Sequence, residues 1–558
     1  MFIKRIQCVL LLTLLQLSVC YSQQTSKEED YTIVYGNSKI DVQFNVNKGT
    51  PVVLNTIDLN THRIIDLSVA NNKSGSYTYT LNNLYPAEII EIDYRFDNDA
   101  NAPIHRGYIA NTSLSTGTIN VYFNHPVDTS YAQIQNAVNL ADTLDDMLIT
   151  YINACTTTMD IAIYNSASPS ATTGIAGAIN AAYTRGVEVR VIYDGSTSSA
   201  MIPLLNPAIP TLKSPITSSY GIMHNKFVIF DANVSDANKP IVWTGSTNWT
   251  VAQIDGPDRN SAIIIQDQTL ALGYKIEFEE MWGSSTMTPN LTLSKFGPYK
   301  TDNTPHSYNI GGKVINSYFS PSDGTNAKII AAINTANSDI DIATMVVTRT
   351  DIANALINKY NGGVTNTNIV IDSQNPSGNQ ITTIQSGLAG NHAVVYSGSG
   401  IMHHKFMVVD NYNSSSDPLV LVGSHNWSTS AETKNDENIL IVHDLNIANQ
   451  YYQAFAYIYQ FAGGVITPTL GVNHNEYDNN LVVYPNPSNG ILNIDATNNA
   501  SLTDVEVTVY NVLGNKIYSN HYSNLLHETI DLSSQASGVY LINAQNGSKV
   551  SHFKVLKQ

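Results

Sequence analysis

The stretch Gly-Ile-Met-His-Asn-Lys-Phe at residues 221–227 decides how this chain is interpreted, because it returns at residues 400–406 as Gly-Ile-Met-His-His-Lys-Phe. Six of the seven positions are identical, and the copies lie 179 residues apart. A second shared block, Gly-Ser-x-Asn-Trp, follows at 245–249 and 423–427. Between the blocks, each copy has an acid at a fixed spacing, which gives the sets His224, Lys226, Asp231 and His403, Lys405, Asp410. Such doubling predicts one site built from two halves.

The segments around the two blocks repeat as well. Asp160-Ile-Ala and Asp341-Ile-Ala lie 181 residues apart, close to the offset of the main block. Strand-like and helix-like patterns alternate in both copies, which predicts sheets flanked by helices. A repeat with a nearly constant offset indicates a duplicated domain. We therefore expect an α/β core of two mixed sheets flanked by helices and related by a pseudo-twofold axis, with halves at 129–297 and 298–462.

Each histidine and its lysine lie two residues apart at the start of an apolar run. Side chains alternate along a strand, so His224 and Lys226 should share one face, and Asp231 should lie on the other. The same holds for the second copy. Two buried lysines without an anionic partner would be costly, which favours an anion-binding or catalytic use. The two acids are expected to support the structure rather than contact the reacting centre.

Joining the halves would bring together two histidines, two lysines and the polar residues of the second blocks. This set suits a phosphodiester, because lysines and polar donors stabilise the oxygens of phosphorus in the transition state. One neutral imidazole can attack phosphorus while the other, protonated, delivers a proton to the departing oxygen. The lysines replace a cation, so no metal and no cofactor is expected. The phosphate-binding candidates are Ser246, Asn248, Ser424 and Asn426.

The doubled His-x-Lys-x4-Asp followed by Gly-Ser-x-Asn resembles the phospholipase D superfamily over residues 130–462. The resemblance implies a two-step mechanism through a phosphohistidine. By analogy His224 is the nucleophile and His403 the general acid, although the sequence itself does not rank them. The family often has an acid that orients the opposite histidine. Glu437 matches this acid for His224, whereas alignment by strand gives Asn260 for His403 and counting from the histidine gives Asp258.

Composition limits the choice of substrate. The chain has 558 residues, a formal net charge of −17 and a pI near 5.1. An acidic protein is not drawn to polyanions by its net field, although a local basic groove can override this. Between residues 130 and 462 there are only four arginines, namely Arg185, Arg190, Arg259 and Arg349. These features favour a lipid substrate over a nucleic acid without excluding the latter.

The flanking segments predict export. Residues 1–22 have a basic start, an apolar run and small residues before a predicted cleavage site, which are typical of a signal peptide. Cleavage after Ser22 would leave Cys155 as the sole cysteine. Residues 23–128 alternate like strands and predict a β-sandwich, in which Leu84-Tyr85-Pro86 resembles a fibronectin type III domain. Residues 463–480 have a linker composition. No later segment is apolar and long enough to cross a bilayer.

The last segment, 481–558, predicts a separate immunoglobulin-like β-sandwich. Its Tyr-Pro-Asn-Pro start at 484–487, its Tyr-Asn-x-Leu-Gly centre at 510–514 and its Ser-Gly-Val-Tyr turn at 537–540 resemble the type A sorting domain of type IX secretion, found in Bacteroidetes. The resemblance implies that the type IX machinery is a partner and that the protein is secreted or held at the cell surface.

We therefore predict a secreted phospholipase D-type phosphodiesterase that hydrolyses phospholipid head groups, and a monomer with an internal pseudo-dimer. A metal-independent endonuclease of the same superfamily is the first alternative. A non-catalytic anion-binding surface protein is the second, and a broken motif would be its sign, yet neither copy is broken. Long polar loops, at 232–244 and 411–422, are expected to form hairpins that help shape substrate access.

Overall fold

The computed structural model describes most of the chain. The described residues are 25–27, 30–36, 38–45, 49–71, 77–96, 101–373, 378–413, 416–466, 481–485, 488–496, 502–511, 515–546 and 549–557. The predicted signal peptide and most of the predicted linker lie outside them. None of the helices in these ranges is long and apolar enough to span a membrane.

The N-terminal strands form two antiparallel sheets, as the alternating sequence predicts. The sheet orders are β1-β2-β3-β6-β5 and β4-β7-β8, and Ile40, Val42, Leu81, Ile90 and Ile92 are fully buried in the core that the two sheets share. The strands are β1 Thr25–Lys27, β2 Tyr31–Gly36, β3 Lys39–Phe44, β4 Pro51–Asp58, β5 Asp66–Asn71, β6 Tyr77–Asn82, β7 Ile89–Phe96 and β8 His105–Ala110.

The first half of the core is an eight-stranded mixed sheet in the order β10-β9-β16-β15-β14-β11-β12-β13. Its elements are β9 Ile119–Phe123, β10 Val138–Asn139, α1 Leu144–Ala154, β11 Thr158–Ile163, α2 Pro169–Thr184, β12 Glu188–Tyr193, β13 Thr211–Lys213, β14 Lys226–Phe230, β15 Ile241–Gly245, α3 Val251–Ile254, β16 Ser261–Gln266 and α4 Gln268–Trp282, with 3-10 turns at Thr129–Tyr131, Ile202–Leu204 and Gly297–Tyr299.

The second half repeats this sheet in the order β17-β18-β24-β23-β22-β19-β20-β21. Its elements are β17 Ser307–Ile310, β18 Lys313–Ser320, α5 Thr325–Thr335, β19 Asp339–Thr344, α6 Thr350–Asn361, β20 Asn366–Asp372, α7 Ile381–Gly387, β21 Ala393–Tyr396, β22 Lys405–Val409, β23 Leu419–Gly423, α8 Thr429–Thr433, β24 Glu437–Val442 and α9 Leu445–Phe461. Two equivalent mixed sheets flanked by helices confirm the predicted fold class.

One hydrophobic core joins the two halves. Helix α4 lies in it, and the Tyr274 ring meets Phe227 of the first sheet at 5.3 Å and Phe319 of the second half at 5.0 Å between centroids. Helix α4 is therefore buried over most of its surface. Helix α9 is similarly buried, and most of its aromatic side chains pack in the core, whereas Phe461 at its end is exposed. Such shared burial holds the two halves in a fixed relation.

One strand was assigned to the wrong unit by the sequence. The alternating run Ile119–Phe123 was expected in the N-terminal sandwich, but β9 pairs with β16 and β10 in the first core sheet. The register joins Val121 to Ile263 and Phe123 to Ser261. Alternation identifies a strand without saying which sheet it joins, and this is why the prediction was wrong.

The C-terminal strands form a three-stranded sheet, β25-β26-β29, and a four-stranded sheet, β28-β27-β30-β31. Both contribute to one core, in which Leu492, Ile494, Val507, Val509 and Ile542 are fully buried. The strands are β25 Leu481–Tyr484, β26 Ile491–Ala496, β27 Leu502–Asn511, β28 Lys516–Leu525, β29 His527–Asp531, β30 Gly538–Asn546 and β31 Lys549–Lys557. The predicted terminal β-sandwich is therefore present.

Candidate active site

The two histidines lie at the same edge of their sheets, just before strands β14 and β22. Strand β14 begins at Lys226, which pairs with Ile163 of β11, and β22 begins at Lys405, which pairs with Thr344 of β19. All five residues of each strand are buried. Each apolar strand is covered on both faces and is therefore fixed in place. The histidine before the strand and the lysine at its first position are consequently held at the edge of the sheet.

Each histidine is fastened to the chain of the opposite half. The backbone N–H of His224 donates to the carbonyl of Asp436 at 2.9 Å, and that of His403 donates to the carbonyl of Arg259 at 2.9 Å. Parallel bridges join Met223 to Asp436 and Arg259 to Met402. The two halves therefore build one site around a pseudo-twofold relation.

The side chains follow the same crossed pattern but differ in charge. Glu437 Oε2 lies 2.7 Å from His224 Nδ1, whereas Asn260 Oδ1 lies 3.0 Å from His403 Nδ1. The amide of Asn260 is oriented by Ser246 Oγ, which donates to its Oδ1 at 2.9 Å, and by its own Nδ2, which donates to the Gln253 carbonyl at 3.3 Å. One histidine thus has a carboxylate partner and the other a neutral acceptor.

Of the two candidates left open for His403, the structure brings Asn260 to the imidazole and not Asp258. The Asp258 carboxylate instead accepts the backbone N–H of Ile401 at 2.8 Å, two residues before His403. Asn435 has the matching place in the second half, where its Oδ1 accepts the N–H of Ile222 at 3.3 Å. Asp258 therefore supports the loop that carries His403 without touching its ring.

The lysines lie beside their histidines and are almost completely buried. Lys226 Nζ donates to the His224 carbonyl at 2.7 Å, and Lys405 Nζ donates to the His403 carbonyl at 2.5 Å. Burial lowers the pKa of Lys226 well below its usual range, and the Lys405 ammonium adds to this effect. Burial also lowers the pKa of Lys405 to about 7, although the Glu437 carboxylate opposes it. An anion bound between them would reverse both shifts.

Burial likewise lowers the pKa of both histidines. For His224 the Lys226 and Lys405 ammonium groups lower the pKa further, and for His403 the same two groups act in the reverse order. Each histidine is therefore affected by the charged groups of both halves, which is the electrostatic sign of one shared site. Burial raises the pKa of Glu437, and the neighbouring His425 and Lys226 oppose this.

The serines of the second blocks support the site from behind. Ser246 Oγ accepts the N–H of Ser261 at 3.1 Å, and Ser424 Oγ accepts the N–H of Asn438 at 3.1 Å. The first hydrogen bond joins the turn after β15 to the start of β16, and the second joins the turn after β23 to the start of β24. The Oδ1 atoms of Asn248 and Asn426 are buried and take no hydrogen bond from the described residues. These two asparagines therefore have unused polar capacity next to the turn.

Asp231 and Asp410 lie at the far end of the strands from the histidines. At about 3.3 Å per residue, the five-residue strand that separates each acid from the histidine of its own motif spans roughly 17 Å. Asp231 accepts the backbone N–H groups of Thr156, Thr157 and Thr158, with a shortest distance of 2.6 Å, and Asp410 accepts those of Asn337, Ser338 and Asp339, with a shortest distance of 2.7 Å. The acids fasten each strand to the start of its neighbour.

The predicted role of the polar hairpins in substrate access was wrong. The loop after β14 begins at Asp231, and the register pairs Phe230 with Ile241 at that end of the sheet. There the loop packs against the segment that precedes β9. Ser115 Oγ donates to the Ala237 carbonyl, and Thr116 N donates to Asn238 Oδ1 at 2.9 Å. In an antiparallel hairpin the connecting loop follows the end of the first strand. His224 lies just before the start of β14, so the loop after β14 is at the opposite edge of the sheet and cannot border the histidines.

Sequence reasoning missed a pair of acids that position the histidines. Asp194 Oδ2 accepts the N–H of Met223 at 2.9 Å, and Asp372 Oδ2 accepts the N–H of Met402 at 2.7 Å. Both carboxylates are buried, and each fixes the residue before a histidine. Their signal in the sequence was an aspartate directly after β12 and an aspartate at the end of β20.

Among the described residues, one group has side chains close enough together to hold a metal ion, namely Asp302, His306 and Asp323. It contains none of the predicted site residues. His404 lies between His403 and Lys405, so alternation along the chain directs its side chain away from the site. Its Nε2 lies 2.6 Å from Nε2 of buried His125. His425 lies near the site, with its Nε2 2.9 Å from Thr325 Oγ1.

Comparison with known families identifies this arrangement. Residues 148–282 and 329–459 each match the cardiolipin synthase, PLD-like domain, so each half of the core matches it once. The chain belongs to the phospholipase D superfamily. Residues 482–558 match the secretion system C-terminal sorting domain, which directs the protein through type IX secretion to the cell surface or the extracellular space.

The superfamily relatives cover parts of this chain. A mitochondrial cardiolipin hydrolase of Xenopus tropicalis is 32% identical over 127 residues, which are 22% of this chain and 54% of that protein. The chain thus spans about half the length of this relative. The phospholipase D family member Nuc of Salmonella typhimurium is 26% identical over 26% of this chain and 93% of its own, with a TM-score of 0.23. Phosphatidylserine synthase of Haemophilus influenzae is 13% identical over 57% of this chain and 83% of its own, with a TM-score of 0.40.

Proposed function

We propose that this protein is a secreted phospholipase D-type phosphodiesterase that hydrolyses the head-group phosphodiester bond of phospholipids through a phosphohistidine. The observation that carries the proposal is the crossed pair of histidines, each oriented at Nδ1 by the opposite half and each beside a buried lysine. With Nδ1 engaged, Nε2 of each ring remains for the substrate. Two imidazoles around one anion site can act on both sides of a phosphorus atom.

In the first step, the lone pair of His224 Nε2 forms a bond to phosphorus. The bond between phosphorus and the leaving oxygen breaks, and that oxygen takes a proton from His403 Nε2. Lys226 and Lys405 stabilise the non-bridging oxygens, whose negative charge grows during the transfer. The substrate anion also raises the pKa values that burial has lowered, so the lysines become charged and His403 gains its proton when the site is filled.

In the second step, water attacks phosphorus from the side the leaving group has vacated. His403 Nε2 takes a proton from this water, the bond between phosphorus and His224 breaks, and the phosphate monoester leaves. Both histidines are then back in their starting states, because His403 has regained from water the proton that it gave to the leaving group. The cycle needs no group other than water and the side chains of this chain.

The different partners of the two histidines support this assignment of roles. A ring that carries a phosphoryl group at Nε2 and a proton at Nδ1 is positively charged, and the Glu437 carboxylate 2.7 Å from His224 Nδ1 stabilises that charge. Asn260 gives His403 an acceptor without charge. An imidazolium beside a neutral amide is a stronger acid than one beside a carboxylate, which suits a proton donor.

Two features support a phospholipid as the substrate. The arginines of the core are mostly engaged within the protein, since Arg190 pairs with Asp160 at 2.6 Å and Arg349 with Asp351 at 2.5 Å, which leaves little free positive charge for a polyanion. Ile216, in the segment leading to the first motif, is 66% exposed, as an apolar contact for lipid would be. The related cardiolipin hydrolase also carries a lipid in its name.

The test is to incubate the full mature chain with phosphatidylcholine vesicles, cardiolipin vesicles, plasmid DNA and single-stranded RNA, with and without a chelator. We expect head-group release from lipid that the chelator does not affect and that His224→Asn abolishes. Cleavage of DNA or RNA with intact lipid would make the protein a nuclease instead. Binding without cleavage of any substrate would support the non-catalytic alternative.

A further inference from the structure

One partly exposed side chain in each half touches the buried catalytic cluster. The Tyr164 ring meets the His224 ring edge to face at 4.7 Å between centroids, and Lys226 Nζ lies 5.0 Å from the Tyr164 centroid. In the second half, Met345 Sδ lies 4.0 Å from Lys405 Nζ. Both side chains are partly exposed, whereas the histidines and lysines are nearly completely buried. Tyr164 and Met345 therefore stand between the cluster and the solvent from which a substrate arrives.

The two residues occupy equivalent, rigid positions. Tyr164 follows the last residue of β11, and its N–H donates to the Asn225 carbonyl at 3.0 Å. Met345 follows the last residue of β19, and its N–H donates to the His404 carbonyl at 2.8 Å. The same backbone bond thus fixes each residue beside its own motif. The repeat differs at this place only in the side chain, which is a planar aromatic ring in one half and a flexible thioether in the other.

We infer that Tyr164 and Met345 select the two substituents of the scissile phosphodiester, an inference that rests on the proposed function. In a displacement through phosphohistidine, the retained substituent stays on the phosphorus bonded to His224. Tyr164 is the partly exposed neighbour of that ring and contacts the retained substituent. The leaving group departs toward His403 and Lys405, where Met345 contacts it.

The chemistry of the two side chains defines what each would accept. An aromatic ring packs best against flat or broad apolar groups, and gains from an aromatic partner. Methionine is flexible and polarizable, so it fits apolar groups of varied shape. The enzyme should therefore discriminate sharply among retained groups and tolerate a range of leaving groups.

Two model diesters with the same leaving group test the inference. Bis(p-nitrophenyl) phosphate retains an aromatic group, methyl p-nitrophenyl phosphate retains a methyl group, and both release p-nitrophenolate. For Tyr164→Ala we expect the ratio of kcat/KM for the aromatic over the methyl substrate to fall about tenfold, which is the scale of one aromatic contact. Tyr164→Phe is the matched control and should keep the ratio, because it keeps the ring and the hydroxyl takes no hydrogen bond among the described residues.

Met345→Ala is the second control and should lower kcat/KM for both substrates equally, because their leaving group is the same. Tyr164→Leu retains bulk if the alanine variant does not fold, and it should also lower the ratio. An equal loss on both substrates in the Tyr164 variants would overturn the inference, as would a change in the ratio caused by Met345→Ala. A wild-type chain that cleaves neither diester would instead contradict the proposed function itself.

Discussion

Replacing Glu437 with glutamine tests the charge beside the proposed nucleophile. The substitution keeps the size of the side chain and an oxygen near His224 Nδ1, but removes the negative charge. Glu437 is fully buried and its Oε1 also accepts the Asn435 Nδ2 group at 3.1 Å, so the new amide has a defined place. The first half already uses an amide at the equivalent position, Asn260, which shows that this surrounding accepts one.

The structure sets the size of the expected effect. A hydrogen bond to a charged group contributes about 1.5–3 kcal/mol, against about 1 kcal/mol for a neutral one. If the carboxylate stabilises the charge that appears on His224 during attack, replacing the charged bond by a neutral one should cost about 0.5–2 kcal/mol and lower kcat/KM roughly twofold to 30-fold, since about 1.4 kcal/mol is a factor of ten in rate. The effect should appear in the first chemical step.

The assay is release of p-nitrophenolate from methyl p-nitrophenyl phosphate in stopped flow, because this leaving group departs without help from a general acid. Glu437→Gln should slow the initial release. Asn260→Asp is the matched variant, which adds a carboxylate beside His403. It should leave this release unchanged and slow only substrates with poor leaving groups. If Glu437→Gln leaves the initial rate intact while Asn260→Asp raises it, the two histidines have been assigned the wrong roles.

Three further predictions follow from the site. His403→Ala should give a burst of p-nitrophenolate equal to the enzyme concentration and then stop, because no base activates water; steady turnover without a burst would contradict its role. Diethyl phosphate, whose charge is constant, should bind more tightly as pH falls through about 7, where Lys405 gains its proton in the empty site; calorimetry should detect proton uptake on binding, and none would refute this. Asp231→Ala should lower the free energy of unfolding by about 3 kcal/mol through lost backbone hydrogen bonds, measured with urea, yet leave the activity of the folded protein unchanged; a large loss of activity would assign Asp231 to the chemistry.

The doubled motif was enough to predict the core of the fold and the pairing of the halves. Repetition with a nearly constant offset carries long-range information that single strands do not. The resemblance to the phospholipase D superfamily then predicted Glu437 as the partner of His224, and the two side chains are in contact. The partner of His403 was less certain. The first half has one extra residue between Asp231 and Gly245 and another between Gly245 and Asn260, so counting from the histidine gives Asp258 while alignment by strand gives Asn260.

The remaining errors have a common physical origin. A strand's alternation records that one or both faces are buried, but not which sheet supplies its neighbours, so β9 was assigned to the sandwich. The polar hairpins were read as part of the site because they lie between two site blocks in the sequence. In an antiparallel pair the chain leaves the site along one strand and returns along the next, which puts the connecting loop at the distant edge. Asp194 and Asp372 were missed because a single aspartate after a strand has many ordinary uses.

The crossed fastening of the two histidines has a consequence for how this duplicated gene can change. His224 is held by Asp436 and Glu437, and His403 by Arg259 and Asn260, so neither repeat encodes a complete environment for its own histidine. A substitution at one of these partner positions in one copy therefore changes the surroundings of the histidine in the other copy. The two copies are therefore free to drift in their outer loops, but at the site they must evolve as partners. Because the partner at Nδ1 of each histidine comes from the opposite repeat, the difference between the two proposed roles depends on the other half of the gene.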